Sequence, residues 1–366
     1  MKILRVSLSY PRINMPGEGL PCYYHANYSE DDNLIITLKM EGEKIASKIG
    51  IRIEEISIKN PSLGKLDDSL VKRLGLLLKK IVYQMIFLFK SIKIINDFKP
   101  DIVHVYSPIP ILFGVYCKAK YCSKIILSMH GTDVERVLKS RLFKRLLLVP
   151  DRVVCVSETM LDKLKHLKTR KKIEYIGNGY EKNIFFPQNL VRLKQFVNVA
   201  SFRWQKGHKF LLEAFARFII EYPEYKLILI GDGPEKDQIL RLIKKFNLNN
   251  NIILKGIQTR ENIAYELNRS EAFILSSVIE GFPKVVIEAM ATGTPVISSD
   301  VGNISNLVKD SGIICKAGDS FDLYNAMVKF KENEEQWHEL SNKAISISKQ
   351  YSWEKVAMNL NRIYKE

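Results

Sequence analysis

The chain has 366 residues, 46% of them hydrophobic and 26% charged; this is the make-up of globular domains and excludes a disordered, fibrous or disulfide-stapled chain. Its net charge is +16, of which +13 lies in residues 1–190. That asymmetry points the first half toward a polyanion: an acidic membrane surface, a phosphorylated lipid or nucleic acid.

Five cysteines, Cys22, Cys117, Cys122, Cys155 and Cys315, have no metal-type spacing and no framework, which fits a reducing compartment. Arg5 and Pro11 break the first apolar stretch, so it reads as a strand and not as a signal peptide. No window reaches the roughly 18 uncharged apolar residues of a membrane span. The expected location is cytoplasmic.

In chain order, Ile3 to Ser9 reads as a buried parallel strand, and the loop after it carries Gly17 and Gly19. A glycine pair there either lets backbone approach a ligand or makes a plain turn. Leu34 to Leu38 and Ile51 to Ile58 are further strands. Lys72 to Phe98 is a long apolar helix carrying Lys72, Arg73, Lys79, Lys80, Lys90 and Lys93. It is either a core helix with a solvated basic stripe or a helix that lies on anionic headgroups. Strands follow at 100–106 and 124–130, the latter ending in His130-Gly131-Thr132-Asp133. A histidine at the carboxyl end of a strand stands where open α/β sheets bind ligands, although capping or packing would also place one there. Strands at 151–157 and 173–176 close this half, and the boundary is expected near 186–194.

The second half restarts with a strand at 196–201, then Arg203, Lys206 and Gly207, and a helix from Phe210. Strands at 225–231 and 252–255 alternate with helices, as in a parallel sheet covered on two faces. The most informative stretch is 272–300: an apolar strand, a loop with Glu280, Gly281 and Phe282, a helix with Pro283 as its first residue, and a second strand from Pro295. Gly293 suits a left-handed helix end. Backbone amides of Gly281 to Lys284 at the positive helix end, with the Lys284 cation, favour an anion such as phosphate. Glu288, on the helix, can serve a ligand's hydroxyls if its face meets a cleft. The last segment, 351–366, is an amphipathic helix anchored by Trp353.

These pieces, in this order, resemble the family 4 glycosyltransferases over nearly the whole chain. The block from Glu280-Gly-Phe-Pro to Glu288-Ala-Met-Ala-Thr-Gly-Thr-Pro-Val-Ile297 is the specific part. The resemblance implies an α/β chain of two facing Rossmann-like doubly wound domains, the GT-B fold, with a cleft between them. Residues 1–188 would be the acceptor domain, 189–350 the nucleotide-sugar domain, and 351–366 a helix packing back toward the first. It implies glycosyl transfer with retention, from a nucleotide-diphosphate sugar to a glycan or polyprenyl-diphosphate-linked acceptor in surface-polysaccharide biosynthesis. No cofactor and no metal are expected. The enzyme would sit peripherally on the inner face of the plasma membrane.

By the same resemblance, Glu280, Lys206 and His130 are the catalytic candidates. Arg203, Gly17, Gly19, Gly281, Phe282, Pro283, Lys284 and Glu288 would bind the donor, Glu288 through the ribose. The family's arginine five residues before its Lys-Gly lysine is Ser201 here, so Arg203 either replaces it or is a surface residue. The alternatives are a sugar-nucleotide epimerase on the same fold and, from charge alone, a nucleic-acid binder, for which no aromatic–basic motif is present.

Overall fold

The computed structural model describes residues 1–11, 19–39, 51–58, 70–130, 133–165, 172–308 and 310–366, with the side chains of 70–81, 135, 136, 142 and 334 outside the description. The chain forms two compact units, Met1–Gly177 with Val356–Glu366, and Asn178–Lys355. The division at Asn178 falls earlier than the 186–194 read from the sequence, because Tyr180 and Phe185 pack in the core of the second unit.

Strands of the first unit are β1 (Lys2–Val6), β2 (Asp32–Leu38), β3 (Arg52–Ile56), β4 (Ile102–Val105), β5 (Lys124–Met129), β6 (Arg152–Cys155) and β7 (Lys172–Tyr175). They pair in parallel in the order β3-β2-β1-β4-β5-β6-β7. The inner strands are mostly apolar with both faces buried, as a parallel sheet covered by helices requires, and the polar residues they carry, Arg5, His104 and Ser128, are buried too. Its helices are α1 (Leu20–Asn27), α2 (Leu70–Phe98), α3 (Ile111–Tyr121), α4 (Asp133–Lys139), α5 (Arg141–Leu146) and α6 (Glu158–Lys165).

The second unit carries β8 (Leu193–Val199), β9 (Lys226–Ile230), β10 (Ile252–Gly256), β11 (Ser270–Leu275), β12 (Val296–Ser299) and β13 (Gly312–Cys315). Their order is β10-β9-β8-β11-β12-β13, again parallel. Helices α7 (His208–Glu221), α8 (Lys236–Lys245), α9 (Arg260–Arg269), α10 (Lys284–Ala291), α11 (Ile304–Val308), α12 (Ser320–Glu332) and α13 (Trp337–Ser348) cover it. The last helix, α14 (Trp353–Lys365), begins in the second unit and returns to the first. There Leu360, Ile363 and Tyr364 pack on Ile3, Ile102, Ile126, Val154 and Ile176.

Both sheets reverse direction once, between β1 and β4 and between β8 and β11. Crevices at the carboxyl ends of such strand pairs are where open α/β sheets bind ligands. α2 buries Phe87, Ile95 and Phe98 on one side, while Val82, Met85, Ile86 and Phe89 stand exposed on another, Phe89 at 75%. Among the described residues no helix is long and apolar enough to cross a membrane.

Candidate active site

The loop after β8 and the loop after β11 flank the reversal point of the second sheet, and close backbone contact locks them together. Gly207 has φ +64°, and a Cβ there would lie 2.0 Å from the Ser276 carbonyl, so only glycine fits. The Val278 amide donates to the Gln205 carbonyl at 2.8 Å, and Ser276 Oγ donates to the Lys206 carbonyl at 2.9 Å. This clamp sets the Lys206 ammonium directly on Glu280 Oε1. Ser277 Oγ donates to the same oxygen at 2.8 Å. Gly302, at φ +61°, lets a third loop approach, since a Cβ there would lie 2.9 Å from the Glu280 carbonyl. Beside Lys206, His208 is buried, and burial and the Lys206 charge push its imidazole down to about 4, so it is neutral.

α10 starts at Lys284, with Pro283 as the residue before it (φ −78°, ψ 100°), one position later than the sequence spacing suggests. No side chain caps this end, and the Val286 amide turns back onto the Pro283 carbonyl at 3.1 Å; the positive pole of the helix still faces the loop from Glu280 to Pro283. Gly293 has φ +71° and takes the left-handed turn out of the helix. The Phe282 ring faces Tyr351, at 6.1 Å between centroids, so what Phe282 offers a ligand is its backbone. Loss of hydration pushes the Lys284 ammonium down to about 8, partly offset by Glu288 and reinforced by Arg260.

Glu288 is buried on α10, and its Oε1 accepts from Arg260 Nη2 at 3.1 Å. Arg260 opens α9, just after the Thr259 cap, whose Oγ1 accepts from the Asn262 amide at 3.2 Å. Its Nε lies against the Glu181 carboxylate, and its guanidinium covers the Phe185 ring at 4.9 Å.

The structure thus gathers Lys206 with Glu280, and Lys284 with Glu288, around one reversal point. Arg203 is exposed and forms no ion pair among the described residues. On the first unit, Gly19 is left-handed at φ +62°, and a Cβ would strike the Ser9 carbonyl at 2.5 Å, so the glycine brings two backbones together at the start of α1. Gly17, Gly131 and Thr132 lie outside the described residues. His130 follows β5; its amide donates to Asp133 Oδ2 at 3.2 Å and its ring lies over Tyr106, 6.1 Å between centroids and 14° from parallel.

Sequence reasoning missed Ser277, His208, Arg260, Glu181 and Phe185. One signal for Arg260 was present: a cation in the first turn of a helix, directly after a Thr cap, opposes the helix dipole and needs carboxylates to hold it there.

Two parallel Rossmann-like units, with a lysine, a carboxylate and an uncapped helix end at one reversal point, define a nucleotide-binding α/β enzyme. Residues 180–347 match the family described as Glycosyl transferases group 1, and residues 60–183 match Glycosyltransferase Family 4. An uncharacterized glycosyltransferase of Methanocaldococcus jannaschii is 30% identical over 274 residues, covering 73% of this chain and 75% of its own. The N-acetyl-alpha-D-glucosaminyl L-malate synthase of Bacillus anthracis is 28% identical over 285 residues, covering 72% and 74%. An Anabaena protein solved with UDP and glucose superposes with a TM-score of 0.77 at 17% identity, covering 100% of this chain and 99% of that one. The chain belongs to the family 4 glycosyltransferases and has their GT-B fold; it is an enzyme that transfers glycosyl groups. The epimerase reading is not favoured.

Proposed function

We propose that the enzyme moves a sugar, with retention, from a nucleotide-diphosphate sugar to a lipid-diphosphate-linked acceptor at an anionic membrane surface, in surface-polysaccharide assembly. The observation that carries the donor side is the Lys206–Glu280 pair beside the uncapped start of α10. Breaking the bond from the sugar's anomeric carbon to the diphosphate builds negative charge on the β-phosphate. Lys206, the amides of Gly281 and Phe282 and the Lys284 ammonium are fixed positive groups for that charge, Pro283 having no N–H to give, and such preorganisation is usually the largest catalytic term. They serve without a metal. Glu280 keeps its second carboxylate oxygen for a sugar hydroxyl. The acceptor hydroxyl attacks on the face the diphosphate leaves, and its proton passes to the departing phosphate oxygen. Arg203, exposed beside Lys206, is kept as a further donor-binding cation.

The acceptor side is supported by the charge of the first half and by α2. There the exposed stripe Val82, Met85, Ile86 and Phe89 is bordered by exposed Lys90 and Lys93, the pattern of a helix that seats in an anionic interface. Lys90 also donates to the Ser57 carbonyl at 2.7 Å. Lys79 and Lys80 have side chains outside the described residues. The Bacillus anthracis relative favours a second reading, a small dicarboxylate acceptor, which the same basic half suits.

The test is release of nucleoside diphosphate from UDP-sugars and GDP-sugars, with a chelator present, using a polyprenyl-diphosphate-linked sugar or L-malate as acceptor. Lys206→Met is expected to lower kcat by about 10²–10³, the loss typical of removing one transition-state donor. Rates within about twofold of wild type for both Lys206→Met and Glu280→Gln would overturn the site. Turnover with malate alone would replace the lipid acceptor by the second reading. On the membrane side, Phe89→Asp with Lys93→Glu should release the protein from phosphatidylglycerol vesicles; unchanged binding removes the α2 surface from the proposal.

A further inference from the structure

Glu288 is held, and the group that holds it is itself held from two further sides. We infer that Arg260 is a positioning residue for ribose recognition: it fixes the Glu288 carboxylate so that one oxygen is left for the ribose hydroxyls of the donor. The inference rests on the donor reading above and adds to it residues that no motif supplies.

Arg260 Nη2 donates to Glu288 Oε1 at 3.1 Å. Both side chains are largely out of water, with 12% and 6% of their surface exposed, so the pair is little screened and its geometry is tightly defined. A carboxylate on a helix can rotate about its side-chain torsions. One anchored through Oε1 presents Oε2 in a fixed direction, and ordering it beforehand removes an entropic cost from binding. Arg260 cannot swing away. Its Nε lies on the Glu181 carboxylate, and its flat face rests on Phe185, which is 1% exposed. A lysine would supply the charge without the planar fork that reaches two carboxylates at once.

The charge balance also fits. Arg260 between Glu181 and Glu288 leaves this group one negative charge in excess, and Lys284, one helical turn before Glu288, cancels it. Glu181 and Phe185 lie at the start of the second unit, so that stretch supports Glu288 as well as packing in the unit's core.

The readout is discrimination of sugar hydroxyls, which a merely structural role would not move. Affinities of the full chain are measured by calorimetry for whichever of UDP and GDP binds more tightly, and for its 2′-deoxy and 3′-deoxy forms. Wild type should prefer the ribonucleotide by about tenfold or more, since a site built for hydroxyls is left with unpaired polar groups without them. Glu288→Gln tests the underlying reading and should remove most of that preference. Arg260→Met should do the same, to within about threefold of no preference, and Arg260→Lys should recover part of it. If Glu288→Gln removes the preference and Arg260→Met leaves it intact, the positioning role is overturned while the donor site stands. If neither variant changes it, the donor reading of Glu288 fails as well. Should Arg260→Met not fold, Glu181→Gln and Arg260→Lys report the same ratio: an unchanged ratio in both overturns the role.

Discussion

Arg5 and Arg260 are both arginines placed out of water, one in each unit, and they are stabilised in opposite ways. Arg5, on β1, is fully buried and meets no carboxylate among the described residues. Its Nε donates to Asn33 Oδ1 at 2.8 Å, Nη1 to the hydroxyls of Tyr106 at 3.0 Å and Tyr364 at 2.6 Å, and Nη2 to the His25 carbonyl at 3.0 Å. That carbonyl belongs to the last turn of α1, the negative pole of the helix. Each phenol accepts from Arg5, so its own proton goes to a histidine: Tyr364 to His104 Nδ1 at 2.6 Å, Tyr106 to His25 Nδ1 at 2.9 Å. His104 then donates from Nε2 to Ser128 Oγ at 2.7 Å. Arg260 instead lies between the Glu181 and Glu288 carboxylates. A cation saturated by neutral acceptors is structural, whereas a cation pinning carboxylates that keep unused oxygens builds a binding surface.

The sharpest test of this contrast is stability. Arg5→Ala strands two phenols, Asn33 and a helix-end carbonyl and leaves a cavity, so urea unfolding should show a loss of about 3–5 kcal/mol. Arg260→Ala should cost clearly less; equal losses would mean both arginines are structural.

Acid comes next. Burial, then the Arg5 charge, hold the His25 and His104 imidazoles well below the usual histidine range. Their folded pKa values are depressed, so the unfolded chain binds more protons as pH falls below about 6.5. Stability should therefore be lost from about pH 6.5 downward, by up to about 1.4 kcal/mol per pH unit for each histidine. Urea midpoints at pH 7 and pH 5 check this, and an unchanged midpoint would contradict the tautomer chain.

A smaller effect concerns the donor pocket. With its ammonium near 8 and an anion favouring the charged form, Lys284 should lose protonation, and the pocket affinity for UDP or GDP, as pH rises through about 8. The loss approaches about tenfold per pH unit at most. Lys284→Arg should flatten this profile; a wild-type affinity constant from pH 7 to 9.5 removes Lys284 from the site. Smallest of all, Thr259→Ala deletes the α9 cap and should lower stability by about 1 kcal/mol. If it also weakens ribose discrimination, the start of α9 helps aim Arg260.

The α/β alternation was legible because a strand covered on both faces must be largely apolar, and β1, β4, β5 and β11 read that way despite Arg5, His104, Ser128 and Glu271. The strand–loop–helix at 270–291 was legible too, since proline and glycine punctuate it. β13 was missed: it is only four residues long and half-buried at an edge. The crossing segment 178–187 was assigned to the wrong side because local polarity does not reveal which core Tyr180 and Phe185 enter. Arg5 looked like an interruption of an apolar strand, whereas its partners lie 20 to 359 residues away.

What the sequence determined by itself was periodicity, punctuation and the chemical types of Lys206, Glu280, Lys284 and Glu288, because these follow from local backbone preferences and side-chain chemistry. The partner of each charge was decided only by the tertiary structure. Lys206 meets Glu280, Arg260 meets both Glu288 and Glu181, and among the described residues Arg5 meets neutral groups. Sheet order sets those encounters, since it brings together the ends of strands far apart in the chain, and no local rule encodes that distance.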